Sequence, residues 1–309
     1  MTAAAALLTD GLTKSYGARQ VLHGVNLRVP VGTLFGFLGP NGAGKTTTIR
    51  ILLGLLRRSG GRAELMGRDV WRDGPRLRRE VGYLPGDIRL PDHLTGAAYL
   101  AFLSRARGVD CATEQARLAG VFELDLVKRI RRYSRGNKQK LGLVAAMMHR
   151  PALLLLDEPT TALDPLVRVS LFEELRRVTR EERTVLFSSH TLAEVEELCD
   201  SVAILRDGRL VEQCDIGELR RRALRSVEIQ FEMEPDARAA PPGLKIDLRR
   251  DGHWHGAWTG DVGPLLAWLA QVRVRDVVIA QPDLESLFLA YYGGGNGSSV
   301  TAPAQRGMA

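Results

Sequence analysis

Leu34-Phe-Gly-Phe-Leu38 runs straight into Gly39-Pro-Asn-Gly-Ala-Gly44-Lys45-Thr46-Thr47, and this join decides the fold. The first segment carries no charge and has the length of a strand buried on both faces. The glycines behind it permit backbone conformations closed to other residues, so the loop can turn its N–H groups toward one point. From Thr46 onward, Ile49, Leu52, Leu53 and Leu56 recur at helical spacing and predict a helix over 46–56. Strand, glycine loop and helix start together make a phosphate cradle, because the loop's donors and the positive end of the helix act at the same place. The pattern G-x-x-x-x-G-K-[ST] adds Lys45 to reach the β- and γ-phosphates of a nucleotide and the Thr46 hydroxyl to bind Mg²⁺. Gly39, Pro40, Asn41, Gly42, Ala43, Gly44 and Thr47 supply the rest of this nucleotide site.

Working outward, Leu153-Leu-Leu-Leu156 is a second wholly apolar strand and Thr184–Ser188 a third. Strands of this kind alternating with helices imply a parallel sheet covered on both faces. Leu7-Leu8, Val21-Leu22 and Val25–Val29 read as further strands, and residues 94–149 as mostly helical. Asp207-Gly208 between two apolar runs signals a type I′ hairpin. The character changes after about Arg225. Val227, Ile229, Phe231 and Met233 alternate with polar residues, predicting a half-exposed strand. A proline-rich loop over 235–242, a helix over Pro264–Ala270, a strand near Val277–Ala280 and a helix from Asp283, its N-cap, to Tyr292 would complete a small α+β appendage. The Gly/Ser-rich tail over 293–309 is expected to be disordered. The expected domains are therefore 6–222, 226–292 and that tail.

The strand at Leu153 ends in Asp157 and Glu158. Beside a phosphate cradle, Asp157 at the strand's end can hold the Mg²⁺ shell, and Glu158 can polarise an attacking water. A glutamate at that place points to hydrolysis and not to nucleotide binding alone.

Composition narrows the rest. With 309 residues and 45% of them hydrophobic, the chain can bury a full core, so general disorder is ruled out. Its 3 cysteines, Cys111, Cys199 and Cys214, form no metal-ligand pattern and read as reduced thiols. No apolar run has the length of a membrane span, and the N-terminus lacks the basic start of a secretory signal. The formal charge of +7 and pI near 9.6 suit nucleic acid or an anionic membrane surface, or an Arg-rich solvated surface. The basic runs lack aromatic interleaving beyond Tyr133, which favours the surface. His253-Trp254-His255 puts two histidines on one strand face without a third ligand nearby, a pattern more often structural than metal-binding.

Together these motifs resemble the ABC ATPase family over about residues 6–215. Tyr133-Ser134-Arg135-Gly136-Asn137-Lys138-Gln139-Lys140 is similar to the family's signature, with Arg135 and Asn137 where Gly and Gln are usual, a variant like that of ABC-2-type, drug-exporter-like members. Asp164 in Thr161-Ala-Leu-Asp-Pro resembles the D-loop residue. His190 resembles the switch histidine, and Tyr16 the aromatic that stacks on adenine. The resemblance implies a P-loop NTPase α/β core with an antiparallel N-terminal β part and a helical subdomain at about 88–150. It also implies ATP and Mg²⁺ as cofactors, with Lys45, Glu158 and His190 catalytic and Thr46 and Asp157 on the metal. Ser134, Arg135, Gly136 and Asn137 would meet the γ-phosphate of ATP held by a second copy or a paralogous ATPase subunit. A separate ABC-2-type transmembrane permease is the implied partner, which places the chain at the cytoplasmic face of the cell membrane and makes export the expected direction. Asp283-Leu-Glu-Ser-Leu-Phe288 resembles a C-terminal helix of exporter-type ATPases. One departure stands out: Tyr83-Leu-Pro-Gly86-Asp87 lies where the family has its Q-loop glutamine, and Gly86 has no side chain for the metal, leaving Asp87 or a water to stand in.

Two other functions fit parts of this pattern. A soluble ABC ATPase acting on nucleic acid or ribosomes would suit the basic pI. Against it, the chain has one cassette, and the 89 residues from Lys45 to Ser134 hold no heptads or cysteine pairs. No nucleic-acid partner is therefore expected. A nucleotide-binding regulator without turnover is disfavoured by Glu158 and His190.

Overall fold

The computed structural model describes residues 4–222, 224–233, 235–236 and 240–282. Two antiparallel and parallel layers are built first. β1 (Ala5–Tyr16), β2 (Arg19–Val25), β3 (Arg28–Pro30), β5 (Gly60–Leu65) and β6 (Arg68–Asp69) form an antiparallel sheet in which β2, β3 and β5 all pair with β1. The predicted strand over Val25–Val29 is thus split at Asn26, whose side chain accepts a hydrogen bond from Gly11 N at 2.6 Å.

The second sheet holds β4 (Leu34–Leu38), β7 (Val81–Leu84), β8 (Leu153–Asp157), β9 (Thr184–Ser189), β10 (Ser201–Arg206) and β11 (Arg209–Asp215), in the order β11-β10-β4-β9-β8-β7. All pairs are parallel except β10–β11. Every residue of β4, β8 and β9 is buried, as their uncharged runs require. Successive side chains serve opposite faces. Phe35, Phe37, Leu153 and Leu155 therefore join Leu7, Leu12 and Leu65 of the antiparallel sheet in one core, which also takes Ile49 and Leu52. Gly36 in β4 faces a helix so close that a Cβ would lie 2.4 Å from Val195 Cγ1.

The helices of this part are α1 (Lys45–Leu52), α2 (Gly74–Glu80), α3 (Gly96–Arg107), α4 (Ala112–Val121), α5 (Arg135–Met147), α6 (Pro165–Arg180) and α7 (Leu192–Leu198), and α8 (Ile216–Arg222) runs from its last residue into the next compact unit. α3 and α4 pack on α5, which lies against β7. α1 is shorter than its apolar spacing predicts. Gly54 turns into the left-handed region at φ 63° with its would-be Cβ 2.5 Å from Val70 O, so the chain must leave the helix there. The β10–β11 turn has Asp207 at φ 46° and Gly208 at φ 72°, the signs a type I′ hairpin needs. Its tip also receives the loop, through Gly208 N to Ala43 O at 3.0 Å.

The chain divides into two compact units, Met1–Ile216 and Gly217–Ala309. The second contains β12 (Leu224–Phe231), β13 (Leu244–Arg250), β14 (His253–Thr259), β15 (Val274–Pro282) and α9 (Gly263–Leu269). Its antiparallel sheet, ordered β13-β14-β12-β15, covers its own core of Val227, Ile229, Phe231, Trp254, Trp258 and Trp268, among others. Trp254 stacks on Trp268 at 6.1 Å between centroids, and Phe231 meets Trp254 edge-on at 4.8 Å. The helix expected over 283–292 and the tail over 293–309 lie outside the described residues.

Candidate functional site

In the parallel sheet, β4, β7, β8 and β9 all end on the same side, so the residues just past each strand converge. The glycine loop follows β4. Gly42 and Gly44 sit at φ 85° and 109°, beyond reach of a residue with a Cβ at low cost. Gly44 then starts α1 with no side-chain cap, which leaves the first N–H groups of the helix to the loop's concave side.

Lys45 is buried, with Nζ 2.5 Å from Gly39 O, 3.2 Å from Pro40 O and 3.4 Å from Glu158 Oε1. Its charge is thus matched by two carbonyl dipoles and one carboxylate. Thr46 Oγ1 donates to Asp157 Oδ2 at 2.7 Å. Asp157 ends β8 with 1% exposure, and its other oxygen accepts from Ser188 Oγ at 2.7 Å. That hydroxyl also accepts from Glu158 N at 3.1 Å. Glu158 is held at φ 50°, a left-handed conformation that costs a residue with a side chain about 1–3 kcal/mol. The turn aims its carboxylate between two nitrogens: Oε1 at Lys45 Nζ and Oε2 at His190 Nδ1, 3.1 Å away. Gln139 steadies the same turn by donating to Pro159 O at 2.9 Å.

A cleft of about 250 Å³ opens over this cluster, walled by Tyr16 and Val21 and floored by the loop from Pro40 to Thr47, with Glu158 on its rim. Tyr16 is half exposed, with Lys14 Nζ 4.8 Å from its ring centre. Ser134, Arg135, Gly136 and Asn137 do not line this cleft. Ser134 is the N-cap of α5, accepting from Asn137 N at 3.2 Å, and both it and Arg135 are exposed. Gly136 lies so near the neighbouring loop that a Cβ would be 2.8 Å from Ala162 O. Asp164 caps α6 through Val167 N at 3.0 Å, and this bond holds its carboxyl below the usual range, helped by Lys140.

Two roles were hidden in the sequence. Ser188 and Gln139 stand within quoted motifs, yet only the pairing of β8 with β9 and the packing of α5 bring them to Asp157 and Glu158. Ser188 has one signal, a polar residue at the end of the apolar run Val185–Phe187, and Gln139, between Lys138 and Lys140, has none. Asp87 is not turned to the site: its carboxylate accepts from Arg89 Nε at 3.2 Å, on the exposed surface. Gly86 is beside Asp157, where a Cβ would stand 3.5 Å from Oδ2. Burial, then the charge of Asp157, push the Tyr83 phenol pKa up, with Arg50 opposing them.

Thr46 and Asp157 offer two hard oxygens at one point, a donor set that fits Mg²⁺ when phosphate and water oxygens complete it. In the second unit, His253 and His255 share the exposed face of β14, and Ser226 Oγ approaches His255 Nε2 at 3.5 Å. No cluster of three or more potential metal ligands of the His, Cys, Asp or Glu type occurs among the described residues.

The fold and cluster define an ATP-binding cassette. The family model described as "ABC transporter" matches residues 22–161. The daunorubicin/doxorubicin resistance ATP-binding protein of Streptomyces peucetius is 32% identical over 93% of this chain and 92% of its own length. The bacitracin transport ATP-binding protein of Bacillus licheniformis is 30% identical over 93% and 97%. A solved ATP-binding subunit of an ABC transporter aligns at 33% identity with TM-score 0.65, covering 70% of this chain and 92% of that one. The chain belongs to the family of ABC transporter ATP-binding proteins. It binds nucleotide and is an ATPase.

Proposed function

We propose that this chain energises export through a separate ABC-2-type transmembrane permease, from the cytoplasmic face of the membrane, by hydrolysing Mg²⁺-bound ATP. The carrying observation is Glu158, poised by its left-handed backbone between Lys45 and His190 over the glycine loop. When ATP enters, Lys45 exchanges its Gly39 and Pro40 carbonyls for β- and γ-phosphate oxygens. Thr46 and Asp157 would hold Mg²⁺, which would supply charge neutralisation at the phosphates. Glu158 then accepts the proton of the attacking water, and His190 contacts the γ-phosphate. Tyr16 stacks on adenine.

The exposed N-terminus of α5 supports a composite site. Ser134, with Arg135, Gly136, Asn137 and the nearby Asp164, offers an uncovered helix start and hydroxyl suited to a γ-phosphate, while lying outside the cleft of its own chain. A second copy or a paralogous subunit would present these residues head to tail. Export is supported by the names of the relatives, a drug-resistance and a bacitracin-transport protein. No helix among the described residues is long and apolar enough to cross a membrane, consistent with a permease as a separate chain.

Glu158→Gln should keep ATP and accumulate as a dimer on size exclusion; a monomeric, nucleotide-free variant would sink the model. Mixing Lys45→Ala with Ser134→Arg subunits should leave at most one intact composite site per dimer. Return of the full wild-type rate in that mixture is the contrary result. Affinity capture should recover a polytopic membrane protein, whereas salt-sensitive recovery of RNA or DNA would favour the nucleic-acid reading.

A further inference from the structure

We infer that Gly86 leaves the cation beside Asp157 to be completed by water on that side, so that this cassette holds its metal through Thr46 and Asp157 alone. The inference rests on the ATP–Mg²⁺ reading above and deepens it.

β7 runs parallel to β8 with Leu84 opposite Leu156, so Pro85 and Gly86 leave the sheet level with Asp157. A Cβ on Gly86 would have Asp157 as its nearest neighbour throughout: its carbonyl oxygen and Oδ2 at 3.5 Å and its Cγ at 3.6 Å. Those are ordinary van der Waals distances, so the space accepts a side chain. Gly86 is also absent from the glycines with positive φ, so its backbone does not demand glycine. Neither crowding nor conformation accounts for the residue. What glycine does here is keep side-chain atoms away from Oδ2, the oxygen that accepts from Thr46.

The carboxylate of this segment is engaged elsewhere. Asp87 pairs with Arg89 at 3.2 Å, both largely exposed. Neither the Asp87 carboxylate nor Gly86, which has no side chain, therefore offers an oxygen ligand beside Asp157. Mg²⁺ takes six oxygens in a near-octahedral shell and gives up water reluctantly. With one hydroxyl and one carboxylate from the protein and the remainder from phosphates, water fills the positions on the Gly86 side. Two consequences follow. The cation is held less tightly than a third protein ligand would hold it, and the segment after β7 is not tied to the metal, so its position does not depend on the nucleotide's cation.

The test uses full-length protein carrying Glu158→Gln to keep ATP intact, with Mn²⁺ as the spectroscopic probe. Electron paramagnetic resonance in ¹⁷O-enriched water counts the water ligands of protein-bound Mn²⁺–ATP, and the signal of free Mn²⁺ gives the dissociation constant. Adding Gly86→Gln should remove one water ligand and tighten Mn²⁺ about tenfold, the scale of a single added metal-site interaction. Gly86→Glu should act in the same direction, and Gly86→Ala, which adds only the Cβ, should change neither quantity. Thermal melting of each variant verifies that it is folded. Bound Mn²⁺ with equal water count and affinity in the Gln, Glu and Gly forms overturns the inference alone. Failure of every form to bind Mn²⁺ with ATP overturns the ATP–metal reading and the inference with it.

Discussion

Ser188 is buried at the site, donating to the Asp157 carboxylate at Oδ1 and accepting from the backbone N of Glu158. Ser188→Ala would strip a buried carboxylate oxygen of its partner, a loss of about 1–3 kcal/mol in the orientation of that group. Turnover should fall about tenfold or more for 1.4 kcal/mol, while affinity for a fluorescent ATP analogue without metal stays constant. Steady-state ATPase and titration assays separate the two, and unchanged turnover would disprove the role. His149 offers a test of stability instead. Burial, reinforced by Arg107, pushes its pKa down to about 4, and its Nε2 lies 3.3 Å from Val81 O. The unfolded form binds the extra proton first, so the contribution is complete above about pH 6.5 and is lost as pH falls toward 4. The melting temperature of wild type should therefore drop more than that of His149→Gln between pH 7 and pH 5, and parallel profiles would refute the assignment. The residues legible beforehand, such as Lys45, Asp157 and Glu158, are those whose chemistry is written in a short local pattern. Ser188 was not, because its partners come from a neighbouring strand.

At the scale of elements, uncharged strands and the glycine loop were readable because burial on both faces leaves one composition. β13 escaped the prediction although Leu244, Ile246 and Leu248 alternate with polar residues, and as an edge strand most of its residues are exposed. α1 was overextended because Leu53, its C-cap, and Leu56 carry the apolar spacing on although Gly54 ends the helix. α6 shows what holds two elements together. Glu174 is buried on it and accepts from Arg117 Nη2 of α4 at 2.5 Å and from Arg177 Nη2 of α6 at 2.7 Å. Burial opposes its ionisation, yet the bonds from Arg177 and Arg117 outweigh it and keep its pKa low. Removing this carboxylate leaves both guanidinium groups to share Glu114, a cost of about 2 kcal/mol once their one-third exposure is allowed for. Glu174→Leu should lower the urea midpoint of the first unit. Adding Arg117→Met should recover part of the loss, and strict additivity of the two changes would show that the pair is not coupled.

At the scale of the molecule, each unit has its own apolar core, one around β4, β8 and α1 and the other around Trp254, Trp258 and Trp268. The sequence pattern shifts after Arg225, where alternation replaces uncharged runs, whereas the second unit begins at Gly217. Separate cores predict separable unfolding. Of the 4 tryptophans only Trp71 belongs to the first unit, so tryptophan fluorescence follows mainly the second. ATP binds the first unit in this account, and a ligand at 100 times its dissociation constant stabilises its host by about 2.7 kcal/mol. For a unit of this size that is a rise of roughly 5–10 °C. Calorimetry with Mg²⁺–ATP should therefore raise one transition and leave unmoved the one seen by tryptophan. Trp254→Ala removes a ring stacked at 6.1 Å on Trp268 and should cost the second unit about 3–5 kcal/mol. It should lower the fluorescence transition alone, with ATP affinity unchanged. A single transition that shifts with both ATP and Trp254→Ala would show instead that the two cores melt as one cooperative body.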